Sequence, residues 1–195
     1  MLTLPRLVFP CAAALTLLFP AAAISGTIKG RIECGEICEN LVIYVKDLPG
    51  EWSGEGRAVT LDQKGKTYIP HVLPILKGTT VRLKNADPEL HNVHCYQNKI
   101  TVFNVAVPPI PGFFLDMKSF RKSGTYVILC DVHTEMSAYV VVLQNPLFTR
   151  PDRDGLYEIG KVPPGTYTLV KYDPESKTAV ERKIAVSDTG ATVDF

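Results

Sequence analysis

Cys130-Asp131-Val132-His133-Thr134-Glu135-Met136 carries a thiol, an imidazole and a thioether within one short stretch. The residues before it, Gly124-Thr125-Tyr126-Val127-Ile128-Leu129, and after it, Ala138-Tyr139-Val140-Val141-Val142-Leu143, are β-branched and aromatic. The stretch therefore reads as a loop joining two strands, on which the three side chains can converge on one point. A second imidazole, His91 in His91-Asn92-Val93-His94, comes just after another strand signal.

Working outward, the composition bounds the answer. The 195 residues are 46% hydrophobic and 21% charged, which supplies a buried core and argues against disorder. A formal net charge of +1 argues against a nucleic-acid partner, which needs a basic face to meet phosphates. Residues 1–23 read as a signal peptide: Arg6, an apolar run through Phe19 that is interrupted by Pro10, then Ala21-Ala22-Ala23 at the cleavage point. An uncleaved anchor is the alternative, although the run is short for a bilayer span. Cys11 invites a lipoprotein reading, but Phe9-Pro10 are not the small residues such a cleavage needs. Export places the mature chain in the periplasm or outside the cell, with no stable membrane span after signal cleavage, where disulfides persist. Cys34 and Cys38, separated by Gly35-Glu36-Ile37, are the natural disulfide pair; Cys95 is either a core residue or a partner for one of them.

Strand signals dominate the rest. Thr27–Ile32, Asn40–Val45, Ala58–Leu61, Tyr68–Ile75 and Thr79–Lys84 alternate or are β-branched, with turn residues between them. Gln97 to Phe120 is less regular, and Pro108, Pro109 and Pro111 exclude helix there. In the tail, Leu156–Ile159, Thr166–Tyr172 and Ala179–Val186 are strands separated by Val162-Pro163-Pro164-Gly165 and Asp173-Pro174-Glu175-Ser176. No amphipathic helix is evident, and the expected fold class is all-β.

The donor chemistry narrows the metal. Thiolate and thioether suit Cu(I), imidazole suits Cu(II), and two His, one Cys and a weak Met form the ligand set of a blue-copper electron-transfer site. Zinc on the same thiolate and imidazoles is the alternative. His94 lies three residues after His91, so on a strand it faces the opposite side and is not expected at the same ion. Cys95 shares parity with His91 and is expected in the core, and His71 is expected in a strand as a partly buried residue.

Residues 57–143 resemble a cupredoxin of the amicyanin type. The likeness rests on Val72–Asn85 leading to His91-Asn92-Val93-His94, on Gly124-Thr125-Tyr126 leading to Cys130, and on His133, Met136 and Val140-Val141-Val142. The two-residue gap between His133 and Met136 is the amicyanin spacing; plastocyanin-type loops are longer there. The resemblance implies a Greek-key sandwich with one type 1 copper, held by His91, Cys130, His133 and the axial Met136. Two positions depart from the family. Val132 stands where Pro is common, which frees an N–H toward the Cys130 sulfur. Asp131 stands where Ser or Thr pairs with the Asn after the first His, here Asn92.

A second resemblance, to the carboxypeptidase-regulatory, transthyretin-like β-sandwich, rests on Asp154–Ile159 and Val162–Leu169. That family opens with strands like Gly26–Ile32 and Leu41–Val45, which here precede the cupredoxin stretch. Residues 25–50 with 146–195 are therefore expected to form one discontinuous sandwich carrying the copper domain as an insertion. The alternative is that 25–50 extend the cupredoxin sheet. The implied function is one-electron transfer to a protein redox partner, with His133 as the exit edge and Thr134, Glu135 and Pro109–Phe113 as docking surface. The alternative is a copper carrier, buffer or sensor. An enzyme is not expected: a trinuclear copper centre needs many more than the chain's 4 histidines, and only a Cys130–His91 hydrolase would remain.

Overall fold

The computed structural model describes residues 25–35 and 37–195; the signal-peptide reading of 1–23, with Cys11, falls outside them. The fold is all-β. In chain order the strands are β1 (Gly26–Arg31), β2 (Val42–Val45), β3 (Ala58–Gln63), β4 (Tyr68–Ile69), β5 (Val72–Leu76), β6 (Thr80–Leu83), β7 (His91–Gln97) and β8 (Ile100–Val107). They continue with β9 (Leu115–Met117), β10 (Gly124–Leu129), β11 (Ser137–Leu143), β12 (Phe148–Thr149), β13 (Leu156–Val162), β14 (Gly165–Asp173), β15 (Thr178–Val186) and β16 (Ala191–Thr192). A single 3-10 turn, Cys38–Asn40, is the helical element among the described residues.

Two sheets, ordered β5-β11-β10-β7-β8 and β4-β3-β6-β9, enclose the first core. Alternation decides which side chains enter it: Val81 and Leu83 from β6, Val93 and Cys95 from β7, Tyr126 and Ile128 from β10, Val140 and Val142 from β11. Two further sheets, ordered β13-β1-β16 and β12-β2-β14-β15, enclose a second core of Ile28, Ile43, Val45, Tyr157, Ile159, Tyr167, Leu169 and Ile184. Thus β1 pairs with β13, Ile28 opposite Ile159, and β2 pairs with β14, Val45 opposite Leu169. Strands far apart in the chain share one core.

The same period explains the apolar runs. In β2, Ile43 and Val45 enter the second core, whereas Val42 and Tyr44 pack against Val72, Val141 and Leu143 from the first pair of sheets. In β11, Val140 and Val142 face the first core and Val141 and Leu143 face β2. A strand covered on both faces has no polar side to display, so Val140-Val141-Val142-Leu143 is apolar without interruption.

Two details, at His71 and after Gln97, differ from the expected outline. His71 lies in a bend between β4 and β5, where Pro70 interrupts what reads as one strand; its Nδ1 is 3.0 Å from Ser137 O and its ring meets Tyr139 edge-on. Pro74 is tolerated within β5 because β5 is an edge strand. The irregular stretch after Gln97 contains a full strand, β8; its first residues, Ile100–Val102, are exposed, and Phe103, Val105 and Val107 face the first core. Cys34 and Cys38 are joined by a disulfide, with Cα atoms 5.4 Å apart.

Candidate metal centre

Strands β10 and β11 pair up to Leu129–Ser137, leaving residues 130–136 as the connecting loop. The loop closes on itself: Cys130 N–H donates to Met136 O (3.3 Å) and Met136 N–H donates to His133 O (3.0 Å). Cys130 and Met136 thereby sit across from each other at its base, both buried in the first core, and the His133 side chain near the tip keeps 15% exposure. β7 pairs with β10 through His94 opposite Leu129, so the antiparallel register carries His91, at the start of β7, past the end of β10 and beside the loop. His91, Val93 and Cys95 share the inner face and are fully buried. Burial among apolar neighbours pushes the Cys95 thiol up to about 12, which leaves it an inert core residue at neutral pH.

One ligand atom from each of His91, Cys130 and His133 lies within 4.8 Å of the others. The two Nδ1 atoms are 3.0 Å apart, and Cys130 Sγ is 4.0 Å from His133 Nδ1. Their distal nitrogens are already committed: His91 Nε2 lies 2.9 Å from Asp87 Oδ2, and His133 Nε2 lies 3.1 Å from Glu89 Oε2. A carboxylate accepts only, so each Nε2 carries a proton, and in the neutral ring each Nδ1 then presents a lone pair. Two lone pairs pointing at each other beside a thiol are repulsive unless a positive charge lies between them. Soft sulfur with two imidazoles, and the Met136 thioether in the same buried core, fits copper; the thiol and imidazoles also fit zinc.

The carboxylates belong to the loop before β7 and were not singled out in the sequence. Asp87 Oδ1 accepts Gly65 N–H (2.6 Å) and Oδ2 accepts Lys66 N–H (2.9 Å). Burial pushes the Asp87 carboxyl up, but these N–H groups and His91 outweigh it and hold it below its ordinary range. Lys66 Nζ, 3.3 Å from Glu89 Oε2, together with His133 holds Glu89 below its range as well. One turn, Gly65-Lys66, thus anchors both. Short-range cues mark this region only as two polar turns, 21 or more residues apart in sequence.

On the other side of the loop, Asn92 Oδ1 accepts Asp131 N–H (2.7 Å) and the Cys130 thiol proton (3.3 Å), while Asn92 Nδ2 donates to Asp131 Oδ2 (2.9 Å) and Asn104 Oδ1 (2.8 Å). The Asn92–Asp131 pair anticipated from the sequence is present. His94 is not among the converging ligands; its Nδ1 lies 2.9 Å from Asp131 Oδ1, and its ring stacks on Tyr96. With Asn104 it holds the Asp131 carboxyl below its ordinary range. No hydrogen bond joins Val132 N–H to Cys130 Sγ among the described residues. Ile110–Phe114 line a cleft with Arg82, Lys84 and Asn85, and Ile110 is exposed rather than core.

No protein-family model matches the chain, and no curated protein matches it. Among solved structures it is similar to a copper-containing nitrite reductase from Thermus scotoductus SA-01, at 26% identity and TM-score 0.39, over 45% of this chain and 23% of that one. The chain therefore spans about a quarter of the length of that enzyme. It is also similar to a purple cupredoxin from Nitrosopumilus maritimus, at 24% identity and TM-score 0.38, over 45% of this chain and 99% of that one. An oxidized amicyanin mutant is similar at 25% identity and TM-score 0.39, over 44% of this chain and 82% of that one.

Proposed function

We propose that this chain is an exported one-electron carrier with a single type 1 copper held by His91, Cys130, His133 and Met136. The observation that carries the reading is the meeting of two imidazole Nδ1 atoms at 3.0 Å beside the Cys130 thiol, with both distal N–H groups tied to carboxylates. Copper bound there would supply reversible exchange of one electron between Cu(II) and Cu(I). The chain's residues would do the rest. Cys130 and Met136 are fixed at the base of a closed loop, His91 is fixed by a strand, and a set of ligands held in place limits rearrangement when the charge changes. His133, the least buried of the three converging groups, is the edge nearest solvent and the contact for a protein redox partner.

In this reading residues 57–143 form the copper domain, and 25–50 with 146–195 form the sandwich that carries it; the shared burial of Ile28, Val45, Tyr167 and Leu169 supports that division. Residues 1–23 serve export, to the periplasm or beyond the cell. Among the described residues no helix is long and apolar enough to cross a membrane.

The deciding experiment adds Cu(II) to the purified, reduced chain. An intense visible sulfur-to-copper band, lost in Cys130→Ser, is expected. A colourless protein under excess copper overturns the reading. Reversible electrochemistry with fast self-exchange separates an electron carrier from a copper carrier or buffer, which would instead release copper readily to a chelator.

A further inference from the structure

We propose that Asp87 and Glu89 are positioning residues that give this metal centre a preference for a dipositive over a monopositive ion; the inference rests on the copper reading above. Each accepts the distal N–H of one converging imidazole, at 2.9 Å for His91 and 3.1 Å for His133. Such a contact fixes both the tautomer and the ring orientation and increases the basicity of the nitrogen that faces the ion. A carboxylate also adds a full negative charge one imidazole ring away from the centre. Its attraction scales with the charge of the ion, so Cu(II) gains about twice what Cu(I) gains. The two carboxylates therefore pull against the bias of Cys130 and Met136 toward Cu(I).

The two positions are unequal. The Asp87 side chain is 12% exposed and held by two backbone N–H groups, so its charge is little screened and its geometry is rigid. The Glu89 side chain is 48% exposed and shares its charge with Lys66. Water and the lysine both weaken it. Asp87 is the stronger determinant, and Glu89 chiefly covers the solvent-facing nitrogen of His133.

The test compares the full chain with Asp87→Asn and Glu89→Gln, near-isosteric changes that remove charge. Dissociation constants for Cu(II) and Cu(I) are measured separately by competition with chelators. In Asp87→Asn, Cu(II) affinity is expected to fall roughly 10–100-fold and Cu(I) affinity much less. Each tenfold difference raises the potential by about 59 mV. Glu89→Gln follows in the same direction by a smaller factor. Equal losses for the two ions, or no loss, overturn the inference while leaving the copper site standing. A second measurement needs no copper: nitrogen NMR of the metal-free wild-type chain is expected to find the Nε2 of both His91 and His133 protonated. An Nε2 without its proton on His91 overturns the inference even if Asp87→Asn fails to fold. If the wild type develops no visible band with Cu(II), the parent reading fails, and this inference falls with it.

Discussion

Asn92 is the residue on which the loop geometry turns. The residue is 9% exposed, and its side chain uses Oδ1 for Asp131 N–H and the Cys130 thiol and Nδ2 for Asp131 Oδ2 and Asn104 Oδ1. Asn92→Ala would leave Asp131 N–H without its partner at the edge of the core. A cost of about 1–3 kcal/mol is expected, read from urea unfolding of the metal-free chain, with Asn92→Ser falling between the two. An unchanged midpoint would mean that the loop is held by its backbone bonds alone. At this scale the sulfur and imidazole groups were legible, because Cys130, His133 and Met136 are close in sequence and His91 comes just after a strand signal. Asn92 was legible through its place after His91. Asp87 and Glu89 were not. A carboxylate in an Asn-Ala-Asp-Pro-Glu turn has the composition of any solvated loop, and what distinguishes these two is the distant Gly65-Lys66 turn.

Elements follow the period of two wherever one face is buried and the other wet, which is why β6, β10 and β14 were legible. Along β8 the first three residues are all exposed and the period of two sets in only at Phe103, with Phe103, Val105 and Val107 facing the first core, so the pattern is short. β9 is short, and its partner is found only in three dimensions: it pairs with β6 through Leu83 opposite Leu115 and Arg82 opposite Asp116. That edge is braced by a two-pronged ion pair, Arg82 Nε to Asp116 Oδ1 at 2.8 Å and a second guanidinium nitrogen to Oδ2 at 2.9 Å. The Arg82 guanidinium holds the Asp116 carboxyl below its ordinary value of 3.8. A carboxyl with a depressed folded-state value contributes stability above the unfolded value and loses it as pH falls through the folded one. Unfolding midpoints of the metal-free chain are therefore expected to be level from pH 7 to about pH 5 with respect to this pair. They then decline below about pH 4, and Asp116→Asn is expected to decline less steeply. A variant with the same acid slope as the wild type would show that solvent screens the pair completely.

At the scale of the whole molecule, two cores meet along one seam. Val42 and Tyr44 from β2 pack on Val72, Val141 and Leu143. Thr125 Oγ1 and Tyr172 OH are 2.8 Å apart, Asn145 Nδ2 donates to Val45 O (2.7 Å), and Arg150 donates to Val72 O (3.1 Å). The tail has only three prominent strands, too few to close a core, and in the structure β1 and β2 supply the missing faces. Strand signals in the tail could not show where its other faces lay; the expectation that 25–50 supply them came from the resemblance. The seam also predicts how damage spreads. Ile28 is fully buried in the second core and absent from the seam. Ile28→Ala removes most of that side chain and should cost about 2–5 kcal/mol of packing there. Of the proposed ligands, Cys130 and Met136 belong to the first core and not the second, so the visible band expected of the copper-loaded chain should keep its position and intensity. On heating, the far-ultraviolet dichroism of the variant should begin to fall before the visible band does, because the weakened core opens first while the first keeps its own sheets. Coincident loss of both signals would mean that the seam is strong enough to make the two cores a single cooperative unit, so that the apolar run of β11 acts as one structural member shared between them rather than as a boundary.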